Sequence, residues 1–231
     1  MTREEILQIA KPVLFNTKMV KAILNGKTVT RRVIKFPVNR FTKNVPVADN
    51  VSFEQIRSDK ANFHEEPFYG FDVKLPCSVG DILYVRETFV QAAAHIFWYK
   101  ADNKDFLSKF KAWKPSIHMP KEAARIFLKV KDVRVERLQE IDEEGSKAEG
   151  IKEYSKDGKL YKYAVSIDWW FEYHKKHYKE FNGTFWQDMP RTAKKAFSYF
   201  WNSTIKKSDI EIYGWDANPY VWVIEFEKME V

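Results

Sequence analysis

Polar side chains that could do chemistry cluster in residues 27–32, with the sequence KTVTRR. The ammonium of Lys27 is a point charge, and the guanidinium of Arg32 is a planar fork that can bind phosphate or a carbonyl by two hydrogen bonds. Between them lie the hydroxyls of Thr28 and Thr30 and a second guanidinium, that of Arg31. The segment therefore predicts either the binding of an anion, with Arg31 as a further candidate binding residue, or a solvated basic strand.

Four further candidate binding residues lie elsewhere in the sequence. Arg86 and Glu87 lie at the end of a predicted strand in YVRETF. There they would either line a cleft beside the KTVTRR segment or take part in an ion pair. His118, in the loop AWKPSIHMP, would be an acid–base group, a nucleobase contact or a packing residue. Trp215, in YGWDANPYVW, would stack on a base or close the end of a barrel.

The segment EYHKKHYKE carries His174 and His177 at a three-residue spacing. No H-E-x-x-H motif or cysteine pair accompanies them, so we predict no metal and no cofactor. The sequence also has no phosphate-binding glycine loop and no dinucleotide fingerprint. Lysines interleave with aromatic residues here, which predicts either nucleic-acid contact or a solvated face over an aromatic core: Lys175, Lys176 and Lys179 with Trp169, Trp170 and Tyr173.

Composition favours a polyanionic partner and no membrane. The 231 residues include 39 Lys and Arg against 32 Asp and Glu, a net charge of +7. Aromatic residues make up 16%, and some of them can stack on unpaired bases. The single cysteine, Cys77, allows no internal disulfide, and no apolar run is long enough to cross a bilayer. We therefore expect a cytoplasmic protein with a polyanionic partner, nucleic acid above all, and single-stranded nucleic acid where aromatic residues stack on its bases.

The elements that must position the cluster are a helix and a strand. In NTKMVKAILNG, Asn16 or Thr17 suits the N-cap, and Gly26 suits the helix C-terminus. The β-branched run KTVTRRVIKF predicts a strand, which Pro37 ends. Strict alternation assigns its two faces as follows: Thr28, Thr30 and Arg32 on one, and Val29, Arg31 and Val33 on the other.

The remaining patterns predict several strands and few helices. Residues 38–70 predict a long loop containing short strands. A strand is predicted over 82–90, with HIFWYKAD as its hairpin partner, and a long strand follows in AARIFLKVKDVRVERLQ. Asp142 then opens a short helix, and two further helices are predicted in 166–181 and 191–205. A last strand is predicted in YVWVIEFEKM. This order indicates an α+β fold with a small mixed β-barrel and flanking helices. We predict one domain, 1–231, with its barrel in 11–151 and 213–231 and a helical insertion at about 152–205.

The order of the helix, GKTVTRR, GDILYVRE, the long strand, the short acidic helix and VWVIEFE resembles the ASCH domain family. That family belongs to the PUA-like group of RNA-associated β-barrels, and its signature is G-x-K-x-x-x-x-R. Lys27 and Arg32 keep the signature spacing, whereas Asn25 stands at the glycine position and Gly26 follows it. The segments PSIHMPKEAARIFLKV and YGWDANPYVWVIEFE resemble phage- and prophage-encoded members. The resemblance covers most of two ranges, 11–151 and 213–228.

The resemblance implies binding of RNA or a modified nucleoside in a basic cleft at Lys27 and Arg32. It also implies an alternative, because small bacterial members resemble amidohydrolases that cleave N4-acylated cytidine. Lys27 would then be the base, Thr30 the nucleophile and Glu149 the proton donor, and we expect these three residues to converge. Two other interpretations stay open: a ribonuclease in which Glu87 or Glu149 acts with Lys27 and Arg32, and a plain interaction module.

Overall fold

A computed structural model describes residues 1–39, 41–44, 46, 48–67, 69–102, 112–178 and 185–230. Its α-helices are α1 (Arg3–Ile9), α2 (Thr17–Leu24), α3 (Glu143–Ala148), α4 (Ile167–His177), α5 (Phe185–Asp188), α6 (Ala193–Thr204) and α7 (Ile210–Tyr213). Its strands are β1 (Lys11–Leu14), β2 (Val29–Val33), β3 (Val51–Arg57), β4 (Lys60–Glu65), β5 (Tyr69–Lys74), β6 (Ile82–Arg86), β7 (Phe89–Ala93), β8 (Ile96–Tyr99), β9 (Phe127–Arg137), β10 (Lys152–Ser155), β11 (Tyr161–Ala164) and β12 (Tyr220–Met229).

The chain divides into two compact units, each assembled from separate stretches of sequence. Unit 1 comprises Met1–Thr28, Cys77–Val133 and Ile224–Val231. Unit 2 comprises Val29–Pro76 and Arg134–Val223. Strands β9 and β12 contribute residues to both units.

Unit 1 is built on a mixed sheet. Strand β1 pairs in parallel with β6, β6 pairs antiparallel with β9, and β12 follows β9 in the strand order. A separate hairpin joins β7 to β8. The core gathers apolar side chains from α1, β6, β7 and β9, among them Ile6, Tyr84, Phe89 and Phe127.

Unit 2 contains three groups of strands. Its parts of β9 and β12 lie beside β2 in that order, β3-β4-β5 form an antiparallel sheet, and β10 pairs with β11. Helix α6 covers the main core through Ala196, Phe197 and Trp201. Buried residues of β2 and β12, among them Val29 and Val221, complete this core.

The helix and strand around KTVTRR are confirmed. The Asn16 side chain accepts a hydrogen bond from the Met19 N–H at 2.9 Å, as an N-cap does, and α2 ends at Leu24. Gly26 then has φ +94°, a conformation that residues with a Cβ rarely adopt, and the chain continues into β2. The local pattern was sufficient here because capping and β-branching act over only a few residues.

The α+β class is also confirmed, and other elements differ from expectation. Residues 51–74 form the sheet β3-β4-β5 rather than a mainly irregular loop, because stacked phenylalanines such as Phe63 and Phe71 order one of its faces. The strand predicted over 82–90 divides into β6 and β7. The helices predicted in 166–181 and 191–205 occur as α4 and α6, whereas 152–164 contain the unpredicted hairpin β10–β11.

The sheets of the described residues are open. Each strand order has two ends, and no closed barrel is found in that part of the chain. The described helices include none with the length and apolarity needed to span a membrane.

Candidate functional site

Strand β2 carries two buried polar residues at its centre. Thr30 is 2% exposed and Arg31 is 7% exposed. The Thr30 hydroxyl has no hydrogen-bond partner among the described residues. A buried hydroxyl in this state loses its hydration without compensation, at a cost of about 1–3 kcal/mol. This cost makes Thr30 the first candidate for contact with a ligand.

Arg31 belongs to a network of alternating charges that we call the β2 charge network. Its Nη1 contacts Glu149 Oε1 at 3.3 Å, and its Nη2 donates to Glu136 Oε2 at 3.0 Å. Arg134 Nε donates to Glu136 Oε1 at 2.5 Å. Two guanidiniums thus meet two carboxylates, which is how a buried charge is tolerated. Arg31 is consequently compensated by protein groups and is a weak candidate for holding a phosphate.

Helix α3 brings Glu149 to this network. Its N-cap, Asp142, accepts a hydrogen bond from the Gly145 N–H at 2.6 Å, and the Glu149 N–H donates to the Gly145 carbonyl at 3.0 Å. The Glu143 carboxylate accepts hydrogen bonds from the first N–H groups of α6, at 2.6 Å from Ala193 and 3.1 Å from Lys194. Helix α3 is therefore fixed at its N-terminus, and Glu149, at its C-terminal end, is held by its contact with Arg31.

Gly145 allows the close approach of α3 to β2. A Cβ atom at this position would lie 3.0 Å from Asp142 Oδ1 and 3.5 Å from Arg31 Nη2. It would also lie 3.2 Å from Ile141 Cγ1, so a larger residue would be tight against the cap and Ile141, whereas its distance from the guanidinium is an ordinary contact. Gly145 is thus favoured here by close packing, not by an unusual backbone angle.

Lys27 and Arg32, the signature residues, have different environments. Lys27 is only 6% exposed, although the sequence placed it at the rim of a cleft, and its N–H donates to the Ala22 carbonyl at 3.0 Å. Arg32 is half-buried. Lys27 falls in unit 1, and Thr30 and Glu149 fall in unit 2. The predicted convergence of the three stays a prediction, whereas the contact between Arg31 and Glu149 is observed.

Arg86 and His118 lie in one region of unit 1. Arg86 Nε donates to the Met119 carbonyl at 3.1 Å, and its Nη2 donates to the Ile117 carbonyl. The guanidinium therefore anchors the loop that carries His118, which is exposed. The observed contacts of Arg86 are therefore structural, and ligand binding by Arg86 or by His118 stays a prediction.

Glu87 is 1% exposed and forms an ion pair. Both of its carboxylate oxygens bind Arg125, at 2.8 and 2.9 Å, and Arg125 also reaches Asp102 at 2.7 Å. The Arg125 guanidinium lies 3.9 Å from the centre of the Tyr99 ring. Burial raises the pKa of the Glu87 carboxyl, although hydrogen bonds and charge from Arg125 act in the opposite direction. The ion-pair alternative is thus the one present, with Arg125 as the partner.

Trp215 packs on the core of unit 2. Its ring meets Phe197 edge-on with centroids 6.2 Å apart. Its backbone N–H donates to Asn202 Oδ1 at 2.7 Å, and its backbone carbonyl accepts from Gln139 Nε2 at 2.8 Å. These contacts use most of the residue for packing. Trp215 is half-buried, so only the exposed part of its ring could stack on a base, and such stacking stays a prediction.

The α4 residues build an aromatic cluster. Tyr173 stacks on both Trp169 and Trp170, and His174 Nε2 lies 2.7 Å from Asp188 Oδ2. Lys179, predicted to join the basic face, lies outside the described residues. Within the described ranges, no group of three His, Cys, Asp or Glu side chains could hold a metal ion.

Sequence reasoning missed Glu136 and Arg125. Glu136 sits two residues after Arg134 on β9, so the alternation in VRVERLQ places both on one face. The sequence therefore showed that Arg134 and Glu136 share a face, but it did not show that Arg31 of β2 is the partner of Glu136. Arg125 precedes β9 and gave no local signal.

No family model matches the sequence, and neither the curated proteins nor the solved structures include a match to it. The ASCH resemblance therefore rests on the order of the sequence motifs alone.

Proposed function

We propose that the chain binds RNA or a modified nucleoside through the KTVTRR segment, with a polar group of one base at Thr30. The observation that carries this proposal is the buried Thr30 hydroxyl, which has no partner among the described residues. A base offers carbonyl and amino groups that can supply the missing hydrogen bond. Recognition of one group at a buried position suits a nucleoside better than the backbone of a polymer.

The charges of the segment support the same proposal. The ASCH resemblance assigns Lys27 and Arg32 to an anionic ligand, and the net charge of +7 favours encounter with nucleic acid. The chain has the elements on which that resemblance rests in the same order, α2, β2, β6, β9, α3 and β12, and we propose a PUA-like fold on that basis. The single cysteine, Cys77, suits a reducing compartment, so we also propose a cytoplasmic location.

Binding is tested with matched threonine variants. Calorimetry with cytidine and N4-acetylcytidine measures the nucleoside, and gel shifts at two salt concentrations measure single-stranded RNA and DNA. Thr30→Val should weaken nucleoside binding about fivefold, which corresponds to one net hydrogen bond of about 1 kcal/mol. Thr42→Val, at an exposed threonine outside the segment, is the control and should change nothing. Equal affinities for both variants and the native chain would contradict the proposal.

A second candidate function is deacylation of N4-acylcytidine. The observation in its favour is the same hydroxyl, because an unpartnered Oγ1 does not have to break a hydrogen bond before it attacks a carbonyl. In this reaction Thr30 Oγ1 bonds to the acyl carbon as Lys27 accepts its proton. The bond from that carbon to N4 breaks, and the proton that Lys27 accepted passes through the Glu149 carboxylate to the leaving nitrogen. Water then cleaves the threonine ester and releases a carboxylic acid.

Turnover separates the two candidates. Chromatography of N4-acylated cytidines incubated with the protein should show cytidine and the free acid if the chain is a deacylase. Thr30→Val would then abolish turnover, whereas binding would fall only about fivefold, as one hydrogen bond predicts. The absence of product from every acyl group tested, with nucleoside binding intact, would leave binding alone.

A further inference from the structure

Unit 2 contains an open cavity of 610 Å³ beside the sheet β3-β4-β5. Its volume is within the range of about 300–1,000 Å³ that is typical of sites for small ligands. The polar residues that line it are Glu54, Arg57, Asn62 and Asp72, and Gly70 lies among them. None of them belongs to the KTVTRR segment.

The strand register brings these polar residues to one face of the sheet. Asn62 is opposite Gln55 on β3 and opposite Asp72 on β5. Arg57 lies two residues after Gln55, so it is a diagonal neighbour of Asn62. A β-bulge between Phe53 and Gln55 makes Glu54 an extra residue. Bulges redirect single side chains in this way and are frequent at functional sites.

The Asn62 amide has an unused acceptor. Its Nδ2 donates to Asp72 Oδ1 at 2.5 Å, which identifies the other amide atom as oxygen. That Oδ1 is buried and has no hydrogen-bond partner among the described residues. A ligand N–H group would supply the missing donor.

Glu54 and Arg57 offer the remaining charges. Both side chains are exposed, and neither forms a hydrogen bond or an ion pair with another described residue. The cavity lining therefore offers two acceptors, Asn62 Oδ1 and the Glu54 carboxylate, together with one guanidinium. The Asp72 carboxylate, also in the lining, already accepts from Asn62 and lies 3.6 Å from Lys60 Nζ. Its matching ligand has adjacent N–H donors at one end and an anion at the other.

We propose that this cavity binds a guanine nucleotide. The N1–H and N2–H groups of guanine are adjacent donors, and they would meet Glu54 and Asn62 Oδ1. The phosphate would pair with Arg57. Adenine and cytosine offer one amino group each and uracil one ring N–H, so guanine satisfies both acceptors and the others do not. This proposal does not rest on the function proposed for Thr30.

The test uses the full chain and the nucleotides GMP, AMP, CMP and UMP, titrated by calorimetry. GMP should bind most tightly. Glu54→Gln and Arg57→Gln should each weaken it about tenfold or more, as expected for a hydrogen bond to a charged group. Lys74→Gln is the matched control, since Lys74 is an exposed cation of β5 outside the cavity lining, and it should leave the affinity within about twofold.

Three results would overturn the proposal. The first is equal affinity for all four nucleotides. The second is an affinity for GMP that neither Glu54→Gln nor Arg57→Gln changes. The third is binding of acetyl-arginine amide in place of GMP, which would identify a site for cationic peptides. A GMP affinity that is lost in Thr30→Val and kept in Arg57→Gln would assign the nucleotide to the KTVTRR segment. The failure of either proposal is thus distinguishable from the failure of the other.

Discussion

Replacement of Thr30 by valine should stabilise the protein while it weakens ligand binding. The two side chains have nearly the same shape, and the exchange removes only the hydroxyl. In most buried positions this loses a hydrogen bond and lowers stability. Here the hydroxyl has no partner among the described residues, so its burial opposes folding and its removal is favourable.

The magnitude follows from the buried position. An unsatisfied buried polar group costs about 1–3 kcal/mol, so Thr30→Val should raise the free energy of unfolding by about 1 kcal/mol or more. For a chain of 231 residues, that corresponds to a rise in Tm of about 2–4 °C. Ser146 provides the comparison, since it is fully buried and its hydroxyl donates to the Asp142 carbonyl at 2.7 Å. Ser146→Ala should lower the free energy of unfolding by about 1 kcal/mol.

Urea titration followed by tryptophan fluorescence measures both variants. A changed midpoint at a constant slope reports a change in stability, because the slope reflects the surface exposed on unfolding. Opposite signs for Thr30→Val and Ser146→Ala are the expected outcome. If Thr30→Val were destabilised as much as Ser146→Ala, the hydroxyl would have a partner, and the reason for assigning a ligand to it would be gone.

Three further predictions concern other contacts. Glu149→Ala should lower the free energy of unfolding by about 3 kcal/mol in the same urea assay, because it removes a buried partner from the β2 charge network. Glu144→Ala is its control: the Glu144 side chain is 80% exposed, so the loss of its ion pair with Lys147 should lower the free energy of unfolding by under about 1 kcal/mol. Burial alone would raise the pKa of Asp81, but the hydrogen bond and charge of Lys11 and the hydrogen bond from the Ser78 N–H outweigh it and lower that pKa. The carboxylate therefore stabilises the folded chain above pH 3.8, and this stabilisation is lost as the pH falls further. Asp81→Asn should flatten stability profiles measured in that acid range. Gly26→Ala should lower Tm by about 2–4 °C, since φ +94° is strained by about 1 kcal/mol for alanine.

Elements with strong local signals were predictable from the sequence. The Asp142 cap identified α3, and the long alternating run identified β9. Caps and alternation depend on residues within one or two turns, so a single segment contains the whole signal. The strands β3, β4 and β5 were predicted only as short strands within a long loop, because the bulge at Glu54 interrupts the alternation of β3 and the pairing of the three strands has no local signal.

The candidate site was predictable in its residue types and not in its pairings. KTVTRR and Glu149 were singled out, and Arg31 of that segment meets Glu149 in a buried contact. The partner Glu136 is 105 residues from Arg31 in the chain, and no local rule selects one carboxylate among 32 at such a distance. Burial of Lys27 likewise depends on tertiary packing, which a basic run in the sequence does not reveal.

The division of the chain has a consequence for biosynthesis. Unit 1 needs Ile224–Val231, yet its other segments end at Val133, so they leave the ribosome long before their last strand does. At about 5–20 residues per second, the 90 intervening residues take several seconds to synthesise. During that interval the edge of β9 that receives β12 is open to other strands. Chaperone dependence and aggregation of nascent chains should therefore track the fate of β9, not the stability of the finished fold.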